Sequence, residues 1–186
     1  DVANSYESIY QAVGTPGTTP GTSLVLLQAQ QKLNEAAATM MPRYATVNPA
    51  ANAGLVEGMK GLFNPTSTIS SQFKNGMMGE GVLGYDEINM SQSVKQFTTG
   101  SRTNGAVNGA VSTQGAESIA IDGVGNAATI EAGDIFTIAG VFAVNPQTRE
   151  STGSLQQFVV TADATANGSG EVTVDISPSI YTSANA

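Results

Sequence analysis

The chain has 186 residues, 40% apolar, 12% charged and 6% aromatic, with no Cys, His or Trp and a formal charge of −8. A compact chain of this length buries about 70% of its unfolded surface, enough for one or two domains without covalent staples. Without thiols there are no disulfides or thiolate metal sites, and without imidazole the commonest general base and the Ser-His and Cys-His pairs are gone. The acidic balance disfavours a nucleic-acid partner. The longest apolar run, residues 24–27, falls far short of the ~20 residues that a membrane-spanning helix needs. The sequence begins at Asp1 with no basic-then-apolar leader, and it is expected to be an excised or processed piece of a longer protein.

In chain order, residues 14–21 carry two Pro-Gly pairs and read as turns. Thr22 or Ser23 then caps a predicted helix over 24–41, in which Leu26, Leu27, Gln30, Leu33, Ala37 and Met40 recur at three- and four-residue steps. Pro42 stops it. Residues 43–47 read as a strand, and Asn48-Pro49 supplies a cap and a first-turn proline for a second helix carrying Leu55, Met59, Leu62 and Phe63. A third, short helix is expected over 68–74, ending at Asn75-Gly76.

Residues 77–84 are glycine-rich and read as a connecting loop, followed by a strand over 85–94. The glycines lack the Gly-Lys-Ser/Thr and the strand-then-helix setting of a phosphate loop. Within them Met77, Met78, Gly79 and Glu80 form the candidate assembly-contact loop, because an apolar pair beside glycines in an exposed loop suits a partner surface. Met40 and Met59 are expected as core filler on their helices.

Residues 1–104 hold six basic and seven acidic groups, a net −1, whereas residues 105–186 hold Arg149 against eight acids, a net −7. The asymmetry predicts two units joined through the Thr/Gly/Ser/Asn stretch 98–105. The second half reads as all β, with strands over 106–113, 117–121, 135–144, 155–162 and 171–176 between strong turn formers such as Asp122-Gly123 and Asn167-Gly168. Val172, Val174 and Ile176 alternate with Thr173, Asp175 and Ser177, as one buried sheet face requires. Such spacing favours a small barrel or sandwich. The fold class is therefore α+β: a mixed α/β segment over 22–104 after an irregular lead-in at 1–21, then a small antiparallel all-β unit over 105–186.

Chemistry-bearing patterns are sparse. Asp122, Glu131, Asp134, Asp163, Glu171 and Asp175 are hard ligands that could surround calcium, but no Asp-x-Asp-x-Asp-Gly loop is present, and scattered acids in a β unit usually form a solvated face. Ser71 and Lys74 match Ser-x-x-Lys without its Ser-Asp-Asn and Lys-Thr-Gly partners. Asn89 and Asn167 head Asn-x-Ser sequons, which matter only on a secretory route. No catalytic, cofactor or metal residues are assigned.

The run from Thr22 to Met41, then Arg43-Tyr-Ala-Thr-Val-Asn-Pro, residues 55–63 and Met77-Met-Gly-Glu-Gly-Val-Leu-Gly-Tyr-Asp-Glu-Ile-Asn-Met-Ser resembles the axial-domain segment of tailed-phage major capsid proteins with the Hong Kong 97-type fold. Gly133-Asp-Ile-Phe-Thr-Ile-Ala-Gly-Val-Phe-Ala-Val-Asn-Pro and Leu155-Gln-Gln-Phe-Val-Val-Thr-Ala are similar to the β-barrel insertion of certain short-tailed-phage coat proteins. The resemblance implies a capsid axial and peripheral-domain segment with an inserted domain, residues 2–13 holding the end of a spine helix. It also implies a non-enzymatic shell subunit that assembles with copies of itself, with scaffolding protein and portal, in a virion built in the bacterial cytoplasm. The N-terminal arm, extended loop and returning strands of that family are not visible here. A second reading is a non-catalytic binding module of a virion-surface or secreted protein, with the acidic β unit recognising a ligand.

Overall fold

The computed structural model describes residues 7–15, 17–59, 76, 79–94 and 96–181. It is α+β and dominated by strands.

The first region joins two helices to a three-stranded sheet. Helix α1 (Ser23–Glu35) begins after Thr22, whose extended backbone serves as N-cap without a side-chain bond. It ends six residues before the expected Met41. Ala37 adopts φ 55°, its amide bonds Asn34 O, and the Ala38 amide bonds Leu33 O. This is a Schellman closure with alanine where glycine is usual, so the backbone turns off before Pro42 can act. Strand β1 (Tyr44–Val47) leads to α2 (Pro49–Gly58), where Asn48 Oδ1 accepts from the Ala51 amide at 2.7 Å and Pro49 occupies the first turn. The expected helix over 68–74, with Ser71 and Lys74, lies outside the described residues, as do Leu62 and Phe63.

The expected glycine-rich loop is in part a strand. β2 (Gly79–Val82) pairs antiparallel with β3 (Tyr85–Met90) across Leu83-Gly84, both at positive φ as a tight hairpin turn of type I′ requires. Glycines that look like loop from composition are here the short limb of a hairpin. β1 adds to β3 in parallel, giving the order β1-β3-β2. Leu26, Leu55, Met59, Tyr85 and Ile88 form the core between sheet and helices. At the N-terminal end Glu7 and Ser8 form a 3₁₀ turn and residues 9–13 have no regular structure; the rest of the expected spine-helix end, residues 2–6, lies outside the described residues.

The second region contains β4 (Ala106–Val107), β5 (Ala116–Asp122), β6 (Thr129–Ile130), β7 (Ile135–Val144), β8 (Ser151–Val160), β9 (Ala164–Thr165) and β10 (Val172–Ile180). Five strands make a nearly closed, barrel-like sheet in the order β4-β5-β10-β8-β7, and β6 pairs β9 in a separate short ladder. The expected strand over 106–113 shrinks to two residues. The alternation in β10 holds: Val172, Val174 and Ile176 are buried beside Ile119, Ile130, Phe158 and Val160. In β7 the inward residues are Phe136, Ile138 and Val141, a phase change at Gly140, which sits at φ 81° where the β7–β8 register shifts. Past this bulge the hairpin projects and leaves Phe142, Val144 and Leu155 exposed. Phe136 and Phe158 stack at 5.7 Å.

Candidate interaction surface

Three features stand out once the fold is in place: an exposed apolar cluster on the first region, a buried ion pair that fixes the connecting segment, and a cleft between the two edges of the barrel-like sheet.

The apolar cluster arises where α1 stops early. The chain past Ala37 turns back toward β1, and Met40, Met41 and Tyr44 are left 71%, 68% and 65% exposed within five residues. Met40 is therefore a surface residue and not core filler, whereas Met59 is buried as expected. Leu27, assigned to the same helical stripe as Leu26, is also exposed; only Leu26 reaches the core. The turn under this cluster is held from inside by Arg43. Its backbone amide donates to Asp86 Oδ2 at 2.6 Å, and its guanidinium donates to Thr39 O at 2.9 Å and Ala38 O at 3.3 Å. Buried nearby, Tyr85 donates its hydroxyl to Leu26 O at 3.0 Å. Burial pushes the Tyr85 phenol above its ordinary pKa, with the charge of Arg43 opposing.

Of the four loop residues singled out from sequence, Met77 and Met78 lie outside the described residues. Gly79 and Glu80 open β2, opposite Ile88 and Glu87 of β3.

The connecting stretch is bonded to the β unit along its length. Asp134, fully buried, accepts at Oδ2 from the Gly100 amide at 3.3 Å, the Glu131 amide at 3.0 Å and Arg102 Nε at 3.2 Å. Oδ1 lies 3.2 Å from Arg102 Nη2 but outside hydrogen-bonding geometry, so that contact is one of charge. Ser101 exchanges bonds with Thr129, and the Thr103 amide donates to Val124 O at 2.9 Å. Gly100 passes so close to Thr129 O that a Cβ there would overlap it. A segment with linker composition is thus part of the β unit's wall.

The acids weighed as calcium ligands do not converge; among the described residues no three acidic side chains gather as a metal site would need. Asp134 is committed to Arg102, Asp163 Oδ1 accepts from the Ala132 amide at 2.8 Å, and Glu171 Oε2 accepts from Asn167 Nδ2 at 3.0 Å. Asn167 itself closes a turn by accepting from the amides of Ser169 and Glu171.

The cleft has a volume of about 610 Å³ and runs between residues 102–107 on one side and 135–139 on the other. Its floor is apolar: Ile121, Val124, Ile130 and Val160. Nothing in the sequence pattern announced it, because it depends on how far the sheet curls before its edge strands meet. No protein-family model matches the chain, and no curated protein matches it significantly.

Proposed function

We propose that the chain is a structural virion protein, part of a tailed-phage major capsid subunit that assembles with copies of itself into an icosahedral shell, with the β unit as an inserted domain. The observation that carries this reading is the Met40, Met41 and Tyr44 cluster: three large side chains held on the surface by a well-bonded turn, an arrangement that costs solubility unless a partner covers it. The resemblance in residues 22–41, 43–49, 55–63, 77–91, 133–146 and 155–162 supports the same reading. So does a composition poor in ions and lacking imidazole and thiol, which suits interfaces on the order of 1,000 Å² or more where few charges need be desolvated. Shell building needs closed symmetry and self-complementary surfaces rather than a titratable site.

The test is electron microscopy and sedimentation of the complete protein expressed with its scaffolding partner. Closed shells of uniform diameter are expected, and Met40→Ser with Met41→Ser should lower particle yield at least several-fold while the melting curve of the subunit is unchanged. Discrete small particles at every concentration would overturn the reading in favour of a binding module.

A further inference from the structure

The cleft between β4 and β7 is bounded by backbone whose direction the neighbouring hydrogen bonds fix. In an antiparallel pair, opposed residues alternate between facing their partner strand with both polar groups and facing away. Val160 N donates to Asp134 O, so Asp134 faces β8; Phe136, two residues on, faces it as well. Ile135 and Thr137 therefore turn their N–H and C=O groups away from β8 toward the cleft. Arg102 Nη2 reaches Ile135 O there at 3.5 Å, which agrees with that direction. On the opposite edge Asn108 N donates to Ala120 O, so Asn108 and Ala106 face β5 and Val107 faces away from it. Among the described residues, β7 pairs with β8 alone and β4 with β5 alone. Two strand edges thus present polar backbone to a slot with an apolar floor.

We infer that this slot is a receptor for an extended polypeptide strand, which adds to the β7 edge at Thr137, places alternate apolar side chains against the half-buried Ile121 that lies over the buried Val124, Ile130 and Val160, and carries basic flanks. Each part of the occupant's chemistry answers a feature of the slot. Only an extended backbone offers donors and acceptors at the strand repeat that the Ile135 N–H and the Thr137 N–H and C=O require, the Ile135 carbonyl being already bonded to Arg102. Alternation follows from the period of two, which sends every second side chain to the floor. The basic flanks follow from charge. Residues 105–186 carry a net −7, and Arg102, the cation at the slot, is already neutralised by Asp134, leaving Asp122 at the end of β5 as an exposed acid beside Ala106. A basic strand is drawn to this surface and an acidic one repelled.

The test uses the 186-residue chain and fluorescence anisotropy of a labelled peptide of five alternating Thr-Val pairs flanked by two Lys at each end. Saturable binding is expected. It should weaken at least tenfold when the flanks are changed to Glu, and at least tenfold when alternate peptide amides on the pairing edge are N-methylated, which leaves the protein untouched. Thr137→Pro removes a slot-facing N–H while sparing the bonds to β8, so it should lose binding at least tenfold with its melting temperature unchanged. Absence of binding, or binding indifferent to N-methylation, overturns the proposal. A small apolar dye that saturates the slot and displaces no peptide overturns it in favour of a small-molecule site. Self-association of the chain that Thr137→Pro abolishes, with no peptide binding, overturns it in favour of a second copy as occupant.

Discussion

The two halves of the molecule solve the burial problem differently. The β unit gathers ten buried core residues from four of its strands and its turns, and it uses its connecting segment as additional wall. The first region has a core of five buried residues and leaves Leu24, Leu27, Met40, Met41, Tyr44 and Met90 substantially exposed among its described residues, whereas the β unit leaves Val107, Phe142, Val144, Leu155 and Tyr181 exposed around a core twice the size. Sheet strands bury one whole face when the sheet curls on itself, whereas two short helices over three short strands leave their outer apolar faces to something else. The β unit therefore carries a core sufficient to hold it folded, with its edges open to partners, whereas the first region needs contact to cover its outer apolar faces. The two touch through Gln157 of β8, whose Oε1 accepts from Lys32 Nζ at 2.6 Å and from the Ala12 amide at 3.0 Å.

Damaging each core in turn has the largest expected effect. Phe158→Ala is expected to cost about 3–5 kcal/mol and Leu55→Ala about 2–5 kcal/mol. If the halves are separate, urea unfolding followed by exchange of β10 and α2 amides shows each variant lowering only its own transition. A single transition shifted equally by both would mean one cooperative unit.

Next comes the pin. Asp134→Ala strips acceptors from the Gly100 and Glu131 amides and leaves Arg102 without its counter-charge, at a cost of about 3 kcal/mol to the β unit. Proteolysis should then open at residues 98–105, and an uncut, equally stable variant would show that the pin is decorative.

The first region carries a smaller, pH-dependent effect. Because burial raises the Tyr85 pKa, the folded chain holds that proton more tightly than the unfolded chain. The stabilisation is complete below the unfolded value of about 10 and is lost as pH rises through the folded value. Tyr85→Phe should cost about 1 kcal/mol near neutrality by removing its bond to Leu26 O, and should flatten the alkaline fall in denaturant midpoint.

The smallest effect is a gain. Ala37→Gly relieves a left-handed alanine at the end of α1 and should stabilise the first region by about 1 kcal/mol, read as a raised midpoint of its transition.

These differences also explain what was legible in the amino-acid pattern. Asn48-Pro49 and the Val172, Val174, Ile176 alternation were readable because cap and strand period are local rules that the tertiary structure left alone. The end of α1 was not, because an alanine took the left-handed position that glycine would have advertised. The phase change in β7 hid behind Gly140, one of many glycines with no sign of which would bulge. Arg102 and Asp134 lie 32 residues apart, and the slot between β4 and β7 depends on the curl of the whole sheet; neither leaves a local pattern. The exposed Met40 and Met41 follow from the early helix end, so one missed turn concealed the candidate contact surface.

Amide hydrogen exchange of the whole protein, free and assembled, decides whether the first region is completed by contact while the core of the β unit holds without it. Residues 24–27 and 38–47 should gain protection on assembly by tenfold or more, while residues 158–160 and 172–176 are already protected in the free subunit and change little. Equal protection of residues 38–47 in both states, or loss of protection in the β unit's core strands when the subunit is free, would contradict the account.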